Sequence, residues 1–579
     1  MRRTATTLLA GVLALTGALH AQQVPLEEIQ SKIAEGVELI LATQRDDGAF
    51  ALSENHMRQY PVGNTGLAVM ALGYARPHLT GELRVRAFEA IRKGIAFIAQ
   101  NPPEQRTYSA GLIICGLYKE NPERYEKLIG YYAAMLILSQ HGPDKGEMCG
   151  EWGYRLLLPP GLQTGPRGTV DNWGDKSNTQ FALLGLYHAN RVGFQVPKRI
   201  WRQSREHYLK AQFMDGGWGY RPQLRPDPYA NMTIASTISL NLCEEMLFSQ
   251  EHEQCKPPPR SKAIENGLKW IADNWERGRV GSDTYGLYAL ERLGIIMGRA
   301  NIGGHDWYNE GARMLVGRRG WGSMFGTPPV SAAFGVMFLA RGLEPIVINK
   351  LERRDTNDWN NDPYDVKHLV EYIYDHYQIP VQWRIVTLEA PLELLLRTPI
   401  LYISGHYKLD FNDEEKTKLK AYVAGGGTIV GQACCGKLEL DTSFRELTKE
   451  LFGGELREIP QTHRIYERMR VRGMAPKPKV EILALDKEQG RPAVIYLPHD
   501  HCCRWHMGGD RARSAFAVGT GIHFYVTIEC RKMYERAHPE VVRPVPTQTE
   551  PEPPRPRSVT PDPNVIRGPG GGPAADEEE

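Results

Sequence analysis

Two short stretches of this 579-residue chain place thiols, imidazoles and a carboxylate close enough in sequence to act together. One reads Gln432-Ala433-Cys434-Cys435-Gly436, the other Pro498-His499-Asp500-His501-Cys502-Cys503-Arg504-Trp505-His506. A thiol just after a strand and before a helix is drawn toward thiolate by the helix N-terminus, and a neighbouring imidazole completes a nucleophile and base. On that reasoning Cys434 and Cys435, with His499 and His501, are the catalytic candidates, for Cys/His hydrolysis. The same groups and His506 have the softness zinc prefers, but adjacent Cys-Cys pairs are not the usual Cys-x-x-Cys spacing, and no metal ligand is assigned. The preferred reading is structural, including a disulfide from one cysteine of the 434/435 pair to one of the 502/503 pair.

A second group mixes aromatic faces with carboxylates and amides: Trp152 and Tyr154, the insertion Asp171-Asn172-Trp173-Gly174-Asp175, Trp218 and Tyr220, and His305-Asp306-Trp307-Tyr308. Such mixtures bind sugars and flat apolar molecules. Trp152, Asp171, Trp173, Asp175, Trp218, Tyr220, His305, Asp306 and Trp307 are therefore the ligand-binding candidates, for an isoprenoid or a glycan. The alternative is that these aromatics cover helix ends, because they follow the period of the surrounding repeat.

That repeat consists of apolar segments at 64–72, 108–114, 177–186, 231–242, 282–290 and 330–339, each introduced by a polar turn whose Ser, Thr or Asn can cap free amides. Apolar nearly all round, they predict helices packed on both sides, an inner layer. Stretches such as 85–98, 200–212 and 263–274 carry apolar residues at three- and four-residue spacing with charges between, and predict amphipathic outer helices. Outer segments end in Gln-x-x-x-Gly-x-aromatic, as in Gln44 to Phe50 and Gln212 to Trp218, with Glu151-Trp152-Gly153-Tyr154 and Gly320-Trp321-Gly322 as divergent copies. Glycine permits the reversal, the aromatic covers it, and the glutamine amide can bond its carbonyls.

With Gly36 and the six-hairpin count, this pattern resembles the repeats of squalene cyclases and protein prenyltransferase β subunits. The resemblance implies an (α/α)6 toroid over residues 26–345. It does not carry those families' reactions. The repeats hold no Asp-x-Asp-Asp proton donor, Asp46-Asp47 lies in a turn, and no Asp-x-Cys segment precedes a suitably placed zinc-binding His.

The periodicity breaks into a polar connector at 346–364. An α/β domain follows at 365–535, with a helix over 366–377, strands over 383–388, 399–405 and 428–431, and a capping box at Asn412 opening a helix that Gly425-Gly426-Gly427 stops. The alternation predicts a mainly parallel, covered sheet. Leu401 to His406, the triple glycine and Cys434-Cys435-Gly436 resemble the bacterial domain of unknown function 4159, implying a class I glutamine amidotransferase-like, flavodoxin-like fold. Ser177-Asn178-Thr179-Gln180 and His305 to Tyr308 add a likeness to exported proteins of planctomycete-type bacteria. An amidotransferase has Gly-x-Cys-x-Gly and a later His-x-Glu, whereas only Cys-x-Gly stands here, so the module reads as degenerate.

Lysine plus arginine (70) nearly cancel aspartate plus glutamate (68), leaving no field that favours nucleic acid. Met1-Arg2-Arg3, an apolar run and Leu19-His20-Ala21-Gln22 predict a signal peptide at 1–21, with an uncleaved anchor as the alternative, and an extracytoplasmic location, periplasmic or secreted. No other apolar stretch is long enough to span a bilayer. The proline-rich segment 538–579 cannot bury a core and reads as disordered. Two enzyme-like folds lacking their catalytic signatures predict an exported binding or scaffold protein, with a terpenoid cyclase-like or Cys/His hydrolase enzyme as the alternative; no cofactor is identified.

Overall fold

A computed structural model describes residues 23–53, 60–160, 169–221, 224–225, 227–249, 261–322, 327–354, 356–468, 479–484, 491–509 and 512–538. Residues 1–21, read from sequence as a signal peptide, and the tail beyond His538 lie outside these residues.

Twelve helices among the described residues alternate in character. The odd-numbered ones are α1 (Leu26–Leu41), α3 (Gly81–Gln100), α5 (Glu126–Ser139), α7 (Lys198–Lys210), α9 (Lys262–Asp273) and α11 (Trp307–Val316). The even-numbered ones are α2 (Pro61–Ala75), α4 (Thr107–Glu120), α6 (Lys176–Arg191), α8 (Ala230–Phe248), α10 (Thr284–Ile296) and α12 (Pro328–Gly342). In α2 every residue from Thr65 to Ala75 is buried, whereas α9 buries only Ala263, Ile264, Gly267, Trp270 and Ile271, the stripe of a helix with one wet face. The even-numbered helices touch in succession, and α12 lies against both α1 and α2, so the succession closes on itself around one continuous apolar core. Each odd-numbered helix packs outside against at least one even-numbered neighbour.

The recurring turn shows how the layers are joined. The Gln44 amide donates to the Gly48 carbonyl and to Ala90 O of α3 at 2.8 Å; Gln212 donates to Gly216 O and to Ala263 O of α9 at 2.8 Å. Gly48 and Gly216 have φ of +92° and +93°, conformations glycine adopts without strain. The aromatic that follows is fully buried, and its backbone N–H donates to a threonine of the next even-numbered helix: Phe50 to Thr65, Trp152 to Thr179 and Trp218 to Thr233, all at 3.0–3.1 Å. Gln140 and Gly150 form a third copy, interrupted by inserted residues, with Gly150 at φ +92° and the Gln140 amide on Ile200 O.

The C-terminal part is a seven-stranded mixed sheet of β1 (Ile346–Leu351), β2 (Gln382–Val386), β3 (Ile400–Gly405), β4 (Thr428–Ala433), β5 (Arg457–Glu458), β6 (Glu481–Ala484) and β7 (Pro492–Leu497), in the order β2-β1-β3-β4-β7-β6-β5. The first five in that order are parallel, and β6 and β5 add antiparallel pairings at the edge. Side chains alternate between two apolar layers: Ile400 and Tyr402 enter one, Leu401 and Ile403 the other. Helices α13 (Asp365–Tyr377) and α17 (Arg513–Phe524) cover the first layer; α14 (Asp413–Ala424) and α15 (Leu438–Phe452) cover the second. The short helix α16 (Cys502–Met507) follows β7. The capping box at Asn412 and Glu415 forms as expected.

The sheet begins inside the stretch read as a connector. Asn349 and Lys350 give β1 a polar sequence, yet both are buried, because Arg384 donates to Asn349 Oδ1 at 2.8 Å and Lys350 pairs with Asp365 at 2.6 Å. Helix α13 docks on the C-terminal ends of the even-numbered helices. Lys367 meets Glu245 of α8 at 2.7 Å and Glu371 at 2.9 Å, Arg191 of α6 meets Asp375 at 2.8 Å, Tyr118 of α4 donates to Asp375, and Tyr374 donates to Lys119 O at 2.8 Å. Edge strand β2 adds a bond from Ile385 N–H to Gly298 O at 2.8 Å, just past α10. Among the described residues no helix is long and apolar enough to cross a membrane.

Candidate functional site

At their other ends, the first turns of α4, α6, α8, α10 and α12 and neighbouring loops line a cavity of about 550 Å3. Its wall is rich in hydroxyls: Tyr108 from α4, Ser177 from α6, Tyr285 from α10, Ser331 from α12, and Tyr154, Tyr220 and Tyr229 from loops. Arg292, buried on α10, donates to Gln180 Oε1 at 3.1 Å, and Gln180 Nε2 donates to the Tyr285 oxygen. The direction of that relay leaves the Tyr285 proton for Ser177, whose oxygen is 2.8 Å away, or for the cavity; Ser177 in turn bonds Tyr108. Burial pushes the Tyr108 and Tyr285 phenols above their ordinary range, so both remain neutral donors and acceptors.

The rim adds charge and aromatic faces. Tyr154 and Tyr220 hydroxyls stand 3.2 Å apart, the Arg225 guanidinium lies 3.5 Å over the Tyr229 ring, and Asn231 donates to Asp283 at 3.1 Å while Asp283 caps α10 through Gly286 N–H. Trp321 also lines the cavity; it is 4 % exposed, and its indole N–H has no hydrogen-bond partner among the described residues.

Of the aromatic and acidic residues singled out from sequence, Tyr154 and Tyr220 line this cavity. Trp173 stands behind it, edge-on to Tyr154 and under Arg221, and Asp171 accepts the backbone amides of Tyr154 and Arg155, holding that loop. Asp175 caps α6 through Asn178 N–H at 2.7 Å, and burial pushes its carboxyl up to about 6 against the pull of that bond. Trp152 and Trp218 must be reassigned from ligand binding to the core: both are fully buried, with indole N–H groups committed to Leu136 O and Tyr208 O. His305, Asp306 and Trp307 also do not face the cavity. His305 stacks on Trp275 and bonds Glu310, Asp306 caps α11, and Trp307 donates to Arg299 O. Tyr108, Tyr285, Tyr229, Arg225, Arg318 and Trp321 were not anticipated as lining residues. Register held a partial signal, since Ser177 and Asn231 each lie two residues before the threonine that receives the aromatic amide.

In the sheet domain the sulfur-rich stretches converge at the C-terminal ends of the parallel strands, where open α/β sheets form their binding crevice. Cys434 leaves β4, Cys502 and Cys503 open α16, and Asp362 lies between β1 and α13. Cys434 Sγ is 2.9 Å from Asp362 Oδ2 and 3.9 Å from Cys503 Sγ; Cys503 Sγ is 3.7 Å from the same carboxylate oxygen. The Gln432 amide oxygen, turned toward α16, accepts the Cys502 N–H at 2.6 Å and also the His501 N–H, tying β4 to that helix.

The expected Cys-Cys bridge between the two stretches is absent: Cys434, Cys502 and Cys503 are not disulfide-bonded. Cys435 is disulfide-bonded, with none of those three as its partner, and its backbone is left-handed at φ +54°. No Cys–His pair forms with His501, a buried ring whose two nitrogens have no hydrogen-bond partner among the described residues and whose basicity burial lowers to about 4. His499 is exposed. His506 accepts the Tyr364 N–H, a structural role. A hydrogen bond from Cys502 lowers the Cys434 thiol, but Cys503, burial and Asp362 outweigh it, so the thiol is pushed well up rather than toward thiolate. The histidine the sequence reading passed over is His406, just past β3, with a ring nitrogen within 4.8 Å of the Cys434 sulfur.

No curated protein matches this chain. Residues 347–527 match the family model of a domain of unknown function, DUF4159.

Proposed function

We propose that this is an exported carbohydrate-binding protein, in which a terpenoid cyclase-like α/α toroid holds the sugar at one mouth and a flavodoxin-like, amidotransferase-derived domain plugs the other. The observation that carries this reading is the hydroxyl-lined cavity, with neutral Tyr108, Ser177 and Tyr285 at its floor and the Arg225–Tyr229 stack at its rim. Aromatic faces beside paired donors and acceptors match the apolar and hydroxylated faces of a pyranose. An isoprenoid in the same place would desolvate these hydroxyls without pairing them, at about 1–3 kcal/mol for each group left unpaired.

The test is calorimetric titration of the full chain with neutral gluco-, manno- and N-acetylglucosamine-type oligosaccharides, and with farnesol as the isoprenoid. Binding of at least one oligosaccharide, weakened by Tyr285→Phe, supports the reading. Binding of farnesol alone, or saccharide binding indifferent to Tyr285→Phe and Tyr220→Phe together, contradicts it.

A further inference from the structure

Beyond the sugar reading, and independent of it, we infer that Asp362, Cys434, Cys502 and Cys503 form a zinc site at the C-terminal edge of the sheet. Four ligand atoms from three separate stretches of chain, all on buried residues, lie within 4.8 Å of one another. Zinc bound to thiolates at about 2.3 Å in a tetrahedron sets sulfur–sulfur edges near 3.8 Å and sulfur–oxygen edges near 3.5 Å. The Cys434–Cys503 separation of 3.9 Å and the Cys503–Asp362 separation of 3.7 Å already have that scale, the 2.9 Å Cys434–Asp362 contact must open, and Cys502 lies within 4.8 Å of the other three.

The donor set selects the metal. Three soft sulfurs and one carboxylate suit zinc, and four protein ligands leave no open position, as in a structural site. The ligands are pre-placed by their neighbours. The Asp362 carbonyl holds the Lys350 ammonium at 2.7 Å, Asp500 caps α16 through Cys503 N–H at 3.2 Å, and Gln432 anchors the Cys502 amide. A second observation points to the same place: His406 is 9 % exposed, its Nε2 has no partner among the described residues, and its ring reaches within 4.8 Å of Cys434. Metal-bound thiolate would give that imidazole N–H an acceptor. Binding releases one proton from each of the three thiols as each sulfur donates an electron pair to the cation, with no redox change.

The full chain is loaded with one equivalent of zinc, desalted, and assayed by elemental analysis and by X-ray absorption at the zinc edge. One zinc per chain with three sulfur scatterers and one light-atom scatterer is expected, falling at least tenfold in Cys434→Ser and in Cys503→Ser. The absorption spectrum of the unaltered protein decides the matter even if a variant fails to fold. No retained zinc, a first shell without sulfur, or a mapped disulfide between any two of Cys434, Cys502 and Cys503 overturns the site.

Discussion

Replacing Lys367 by methionine tests whether the two parts of the molecule are held by buried charge. The ammonium is 3 % exposed and Glu245, its closest carboxylate at 2.7 Å, is 2 % exposed; the lysine also donates to the Tyr187 oxygen, and that hydroxyl lies 2.9 Å from both Glu245 and Glu371, so the lysine neutralises a cluster built around two carboxylates. Methionine keeps the length and apolar volume of the stem but removes the charge. Breaking one side of a buried pair costs about 3–5 kcal/mol. Here Glu371 keeps Arg191 at 3.1 Å and Glu245 keeps His368 at 3.0 Å, which places the loss near the lower end, at about 3 kcal/mol.

Lys367→Met, Glu245→Gln and the double variant are compared by urea unfolding. A double variant that recovers at least about 1 kcal/mol of the summed single losses is the signature of a coupled pair. The pH dependence gives a second reading. Burial raises the Glu245 carboxyl, but Lys367 and His368 prevail and hold it down at about 2. Its folded value is thus below its unfolded one, so its contribution is present above about pH 4.3 and is lost as pH falls toward 2. Lys367→Met should flatten that acid limb. A single-variant loss below about 0.5 kcal/mol, additive with Glu245→Gln and with an unchanged acid limb, would refute the charge-paired docking of α13.

Thr233→Val removes the acceptor of the buried Trp218 N–H and should cost about 1–3 kcal/mol, read as a lower urea midpoint with unchanged slope. Burial, set against Arg341 and Arg292, pushes the Glu291 carboxyl up to about 7; its folded value exceeds its unfolded one, so stability falls as pH rises from about 4.3 through 7. Glu291→Gln should therefore gain stability relative to the unaltered chain across that window, and an advantage that does not grow with pH contradicts the assignment. Tyr285→Phe removes one cavity hydroxyl and should weaken saccharide binding about tenfold, or about 1.4 kcal/mol, in calorimetry, and should also lower the unfolding midpoint because the buried Gln180 amide loses its acceptor.

The helical repeat was readable because its signals are local and periodic: the apolar segments lie within or closely overlap α2, α4, α6, α8, α10 and α12, and the glutamine amides bond the turn carbonyls as their spacing implied. β1 was missed because its polar residues are paired by Arg384 and Asp365 on other elements, so their burial is a tertiary fact. The two-residue β5 and the short β6 have too little pattern to register. At the cavity, aromatic type alone could not separate Trp152 and Trp218, which plug turns, from Tyr108 and Tyr285, which open on the space between helices. The cysteine pairs were visible as chemistry, but Asp362 lies 72 residues before Cys434, and only the order of the parallel strands brings them together.

The most direct test of the central claim is hydrogen exchange of the full chain with and without a saturating oligosaccharide. Protection confined to the first turns of α4, α6 and α10 and to the loop carrying Tyr220 is the predicted result, since these surround Tyr108, Ser177 and Tyr285. Protection appearing instead at α13 or around Cys434, with those first turns unchanged, would place the ligand elsewhere and contradict the account.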